Sequence, residues 1–112
     1  MNVTAKCYTV YTDDNQWLGQ IVLTSDGGFM SITDWGNLCY AWRAYGNKDF
    51  REFLCGINTD YFAGKLMMDF GYFGIRNKKN EASVMRFAEK ILPALKKLLI
   101  EELENEKQIN QW

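Results

Sequence analysis

The chain has 112 residues, 47% of them hydrophobic and 24% charged, with a formal net charge of −1. Those values are globular rather than disordered, and the length fits one domain spanning residues 1–112, able to build a core without disulfides or metal. The balance of 13 basic and 14 acidic residues provides neither the basic footprint of a duplex-DNA binder nor the acidic excess of a nucleic-acid mimic, although a local patch of either sign is compatible with it.

The first half reads as strands. Residues 3–12, rich in Tyr, Val and Thr, predict the first. Asp13-Asp14-Asn15 follows as a turn cluster, because such side chains bond nearby backbone N–H groups. Residues 17–24 predict the second strand. Ser25-Asp26-Gly27-Gly28 is a hairpin turn in which the glycines can take positive φ. Residues 29–33 predict the third strand, Asp34-Trp35-Gly36-Asn37 the next turn, and residues 38–45 the fourth strand. Trp17, Ile21 and Leu23 share one face of the second strand, and Leu18 and Val22 the other. In the fourth, Leu38, Tyr40 and Trp42 alternate with Cys39, Ala41 and Tyr45. Both faces therefore carry apolar groups, whereas a sheet with one wet face alternates strictly. Either helices cover both faces, or one face meets a partner.

The periodicity changes after Gly46. Phe50, Phe53, Leu54 and Ile57 fall at i, i+3, i+4 and i+7, predicting a short amphipathic helix over 48–55 with Gly56 as its stop. Thr59 is the expected N-cap of a second helix, along which Phe62, Leu66 and Phe70 stack, with Gly71 and Gly74 weakening its far end. Residues 76–80 form a polar connector. Asn80 is placed to cap the last helix, with Glu81 favourable in its first turn. There Val84, Phe87, Ala88, Ile91, Leu92, Leu95, Leu98, Leu99 and Leu103 make one apolar stripe. Pro93 lies inside it, and a helix-interior proline costs about 3 kcal/mol, so a kink or short break is expected. The polar tail is expected to fray over 108–112. The fold class is therefore α+β: a four-stranded antiparallel β-meander followed by two or three helices packed on the sheet.

The chemistry-bearing residues are sparse. Histidine is absent, which removes the commonest general base near neutral pH. Cys7, Cys39 and Cys55 are widely spaced and form no Cys-x-x-Cys pair, so they read as reduced, mostly buried thiols rather than a zinc site. Cys55 sits late in its helix, where the dipole opposes thiolate formation. Asp13, Asp14 and Asp34 come to the same end of a meander and could hold Mg²⁺ or Ca²⁺, but turn aspartates more simply satisfy turn backbone. The expectation is a non-enzymatic protein without cofactor or metal. The first residues lack the apolar segment of a signal peptide, and no apolar run reaches the ~20 residues needed to span a membrane. Arg76, Lys78 and Lys79 could touch phosphates, yet the aromatic-and-basic signature of an RNA recognition motif is missing, so nucleic-acid binding is not favoured.

The aromatic set is the strongest functional signal. Trp, Tyr and Arg are enriched at protein–protein hot spots, and Trp35, Tyr40, Trp42, Arg43 and Tyr45, with Arg51 and Glu52 on the first helix, are the expected partner-binding residues.

The strings Trp17-Leu18-Gly19-Gln20-Ile21-Val22-Leu23-Thr24-Ser25-Asp26-Gly27, Asp34-Trp35-Gly36-Asn37, Tyr40-Ala41-Trp42-Arg43, Asp49-Phe50-Arg51-Glu52-Phe53, Asp60-Tyr61-Phe62 and Ala88-Glu89-Lys90-Ile91-Leu92-Pro93-Ala94-Leu95 together resemble small proteins encoded in bacteriophages and prophages. The resemblance implies a bacterial host cytoplasm and supplies no catalytic residues. Small phage proteins without enzymatic motifs are often inhibitors of host defence, such as anti-CRISPR proteins. The expected function is steric inhibition of a host protein complex such as a CRISPR or other defence effector. The alternatives are a nucleic-acid-binding accessory protein and a small metal-dependent hydrolase or nuclease. Homo-oligomerisation is left open.

Overall fold

The computed structural model describes residues 2–73 and 77–109. Four strands, β1 (Ala5–Tyr11), β2 (Trp17–Thr24), β3 (Gly28–Thr33) and β4 (Cys39–Ala41), are followed by three helices, α1 (Phe50–Gly56), α2 (Thr59–Phe73) and α3 (Lys78–Ile109). The strands form one antiparallel sheet in the order β1-β2-β3-β4. The protein is thus α+β, as its sequence predicts.

Each hairpin follows from its turn chemistry. Between β1 and β2, Asn15 takes a positive φ of 65°, a conformation asparagine tolerates better than most residues. Between β2 and β3, Gly27 has φ 102°, and a Cβ there would lie 2.0 Å from the Trp42 carbonyl oxygen. Glycine is required on both counts. Gly28, by contrast, is not in the left-handed region. The Gly27 carbonyl accepts a hydrogen bond from Trp42 N–H at 2.8 Å, and beyond Ala41 the chain leaves the sheet. The fourth strand is therefore shorter than the alternation over 38–45 suggests.

All three helices lie on one side of the sheet. The core joins Tyr8 and Val10 of β1, Leu18, Ile21 and Leu23 of β2, and Phe29 of β3 to Phe50 and Leu54 of α1, Phe62 and Leu66 of α2, and the stripe of α3. In that stripe Val84, Phe87, Ala88, Ile91, Leu92, Leu95 and Leu99 are buried, while Leu98 and Leu103 are half-buried. The 3.6-residue period of α3 supplies this face directly. Pro93 sits within the helix and does not break it; its ring lies on the exposed side, away from the contact with the sheet.

Two of the three helix caps are displaced from the expected residue. Asp49 caps α1, its Oδ1 accepting from Arg51 N–H at 2.9 Å. Asn58, not Thr59, caps α2 by accepting from Tyr61 N–H at 2.8 Å. Asn77, not Asn80, caps α3 by accepting from Asn80 N–H at 2.9 Å. In each case the carboxylate or amide oxygen satisfies a donor that has no partner inside its helix. The Phe70 side chain, Gly74, Arg76 and residues 110–112 lie outside the described residues.

Leu95 is fully buried between helix and sheet. Leu95→Ala is expected to lower stability by about 2–5 kcal/mol, from lost transfer free energy plus the cavity left behind. Urea denaturation measures this directly, and a change under about half a kcal/mol would mean that α3 is peripheral to the fold.

Candidate functional site

The helices cover only one face of the sheet. A β-bulge decides which residues reach the other. Pairing runs regularly to Val10↔Gly19 and then shifts, so that Tyr11 pairs with Trp17 and Leu18 is the extra residue. A bulge inserts one residue and reverses the alternation beyond it. Leu18 therefore turns into the core, and Trp17 turns outward with Tyr11. This corrects the grouping of Trp17 with Ile21 and Leu23 on one face.

The uncovered face has four rows of paired residues. Ala5 with Thr24 and Gly28 with Ala41 form one; Cys7, Val22, Met30 and Cys39 form the next, across all four strands; Thr9, Gln20 and Ile32 form the third; Tyr11 and Trp17 form the fourth. Met30 and Ile32 are 45% and 59% exposed. None of the outward-facing strand residues is charged. Helices covering both faces, one of the two arrangements expected from apolar groups on both sides, is not the arrangement the described residues adopt.

Trp35 stands at one end of this face, 41% exposed, in the turn between β3 and β4. The turn is cross-braced. Thr33 Oγ1 accepts from Trp35 N–H at 3.1 Å and donates to the Gly36 carbonyl at 2.8 Å. Asn37 Oδ1 accepts from Thr33 N–H at 3.3 Å. Gly36 supplies the positive φ of 136° that closes the turn. Below it, the buried Ser31 hydroxyl accepts from Leu38 N–H and donates to Leu38 O. The indole is thus carried on a backbone held by side-chain hydrogen bonds at each step.

The opposite end of the sheet is ionic. Arg51 makes a two-pronged contact with Asp49, Nε to Oδ1 at 3.0 Å and Nη2 to Oδ2 at 2.8 Å, and also bonds Glu102 and Glu106 of α3. Glu102 in turn accepts from the Tyr8 hydroxyl at 2.7 Å and pairs with Lys6. The cluster borders a cleft of about 320 Å³, whose other walls include Ser25, Tyr45 and Lys48. Burial penalises the Glu102 carboxylate, but hydrogen bonds from Lys6, Tyr8 and Arg51 outweigh it and hold the group below the usual carboxylate range. The Arg51 guanidinium likewise holds Asp49 and Glu106 low. Burial, reinforced by Glu102, pushes the Tyr8 phenol upward. The pattern is that of a structural clasp tying α1 and α3 to the edge of β1, because the guanidinium has three carboxylate partners within the protein itself.

The seven expected partner-binding residues do not form one surface. Trp35 is at the end of the sheet nearest the β1–β2 turn, whereas Arg43, Tyr45 and Arg51 lie toward the β2–β3 turn. Trp42 is 3% exposed, packed among Phe29, Phe50, Phe53 and Phe62. Its indole N–H has no acceptor among the described residues, and the surrounding ring faces offer it weak N–H···π contacts at most. Tyr40 lies edge-on to Trp42 and under Lys65. Tyr45 packs on Phe50 and Phe53 and donates to Ser25 O at 2.9 Å; it is not on the Cys39/Ala41 face. Arg43 and Glu52 are exposed. Tyr11, Met30 and Ile32, which sequence reasoning passed over, and Trp17, an aromatic of the meander not counted among the partner-binding residues, make an exposed apolar surface on the other face. The mixed polarity of both strand faces was their signal.

One further expectation is corrected. Cys7 and Cys39 are exposed on the bare face rather than buried; only Cys55 is half-buried, and burial raises its pKa. Asp13 faces Lys97 at 3.7 Å and Asp14 bonds Thr12, and among the described residues no three acidic or thiol side chains gather as a cation site requires. No helix among the described residues is long and apolar enough to cross a membrane.

Residues 1–108 match the model of Phage_phiTE_072, described as a phage family. The chain belongs to this family. No curated protein and no solved structure matches it.

The depressed carboxylates make a pH prediction. Their folded pKa values lie below the unfolded ones, so their contribution is complete above about pH 4.5 and is lost as pH falls through the folded values. Glu102→Gln is expected to cost about 1.5–3 kcal/mol at pH 7, the range for hydrogen bonds to charged groups, and to flatten the loss of stability that sets in as pH falls below about 4.5. Urea titrations of both proteins at several pH values check it; parallel acid limbs would remove Glu102 as a source of that dependence.

Proposed function

We propose that this phage protein is a non-catalytic binding protein that occupies a protein complex of its bacterial host and blocks it sterically, a defence effector such as a CRISPR complex being the favoured target class. The host cytoplasm is then its place of action. The observation that carries the reading is the Trp35 turn. Exposed tryptophan is the residue type most enriched at binding hot spots. Ordering a mobile side chain or loop costs affinity on association, and here the hydrogen bonds of Thr33 and Asn37 brace the turn in advance. Membership in a phage family supports a target in the host.

The test is an affinity-tagged chain expressed in a bacterial host, with the co-retained protein quantified. Trp35→Ala is expected to weaken that association at least fivefold, which corresponds to about 1 kcal/mol, the usual lower bound for a hot spot. Its thermal midpoint should stay within a few degrees of the parent, since the indole is largely outside the core. Equal retention by the two proteins would remove Trp35 as an anchor. Absence of any specifically retained host protein would sink the reading.

A further inference from the structure

We infer that the bare sheet face is the interface of a homodimer, two copies packing sheet on sheet. The first reason is charge. No outward-facing residue of β1 to β4 is ionic, so the face can meet its own copy without setting like charges together or stripping water from an ion. Interfaces between unlike proteins that form and part generally carry charge at their rims for steering and specificity. Interfaces between permanent identical subunits are more apolar and resemble a core cut in half. The Tyr11–Trp17 pair, Met30, Ile32 and Val22 are the residue types such a core uses.

The second reason is area. Strands of 7, 8, 6 and 3 residues, at about 4.8 Å spacing and about 3.4 Å per residue, give a flat footprint of roughly 390 Å² per copy. Two copies cover roughly 780 Å² as flat area, and the relief of the projecting Tyr11, Trp17, Met30 and Ile32 side chains has to supply the remainder of the ~1,000 Å² expected of a specific interface. A two-fold, isologous pairing is also the commonest oligomeric arrangement. In it, the two inner faces already packed under helices become outer layers, and the bare faces meet about 10 Å apart as in a β-sandwich. The Trp35 turns lie at the ends of the sheets and remain accessible, so the target-binding reading does not depend on this one.

The full-length chain answers the question alone. Sedimentation equilibrium at 1–100 μM (a range of roughly two decades that brackets ordinary dimer affinities) is expected to give a dimer. Ile32→Lys should raise the dimer dissociation constant at least a hundredfold, by placing ammonium groups in an uncharged interface. Ile32 is 59% exposed in the single chain, so the lysine meets water there and the circular dichroism spectrum should be unchanged. Labelling of Cys7 by a maleimide should be slow in the parent dimer and fast in the monomeric variant, with Cys55 slow in both. A parent that is monomeric at 100 μM overturns the inference, as does a dimer that survives Ile32→Lys. Should that variant fail to fold, the parent decides: a dimer whose Cys7 reacts at the rate of an exposed thiol uses another surface, and the inference is wrong.

Discussion

The contact between the apolar stripe of α3 and the inner face of β1 and β2 governs the rest of the molecule. Seven buried residues of one helix, from Val84 to Leu99, fill the layer between helix and sheet. Because α1 and α2 lay their own apolar residues on the same side, all helical cover is spent on one face. The opposite face carries Met30 and Ile32 into solvent for that reason. Its exposure follows from that placement, since among the described residues all three helices pack on the other side of the sheet.

Orientation of that contact is reinforced at one end by ions. Arg51 on α1 and Glu102 on α3 meet beside Tyr8 and Lys6 on β1, three elements distant in the chain. Charges of this kind add little where water surrounds them, but Glu102 is half-buried and has three donors. The clasp limits how far α3 can rotate about its axis, and so keeps the stripe facing inward. At the other end of the sheet the corresponding bracing is neutral and local, made by Ser31, Thr33 and Asn37, and its result is the display of Trp35.

The long periods were readable from the residues. The second strand has the bounds its composition suggests, and the α3 stripe reaches the core with the spacing expected, because each rests on many residues that agree. What could not be read depends on single backbone events. A bulge at Val10/Tyr11 exchanges the faces of Trp17 and Leu18, and no side-chain pattern marks it. The departure of the chain after Ala41 turns Trp42 from a candidate surface residue into the centre of an aromatic cluster. Asn58 and Asn77 cap in place of their neighbours because several residues in each connector could perform that role. Arg51 and Trp35 were both singled out in the sequence, yet the sheet sets them at opposite ends. Their assignment to one surface failed because it rested on adjacency in the chain.

Cover by a C-terminal helix has a consequence in time. Tyr8 and its partner Glu102 are separated by 94 positions, and the last buried residue of the stripe, Leu99, follows the final strand by more than fifty. At translation rates of about 5–20 residues per second, roughly 3–12 seconds separate completion of the meander from delivery of the element that seals it. During that interval the sheet has two apolar faces, and either can capture another nascent chain. Pairing of bare faces between copies made on one messenger would shield half of that surface before α3 arrives, so assembly and folding of this protein need not be successive events.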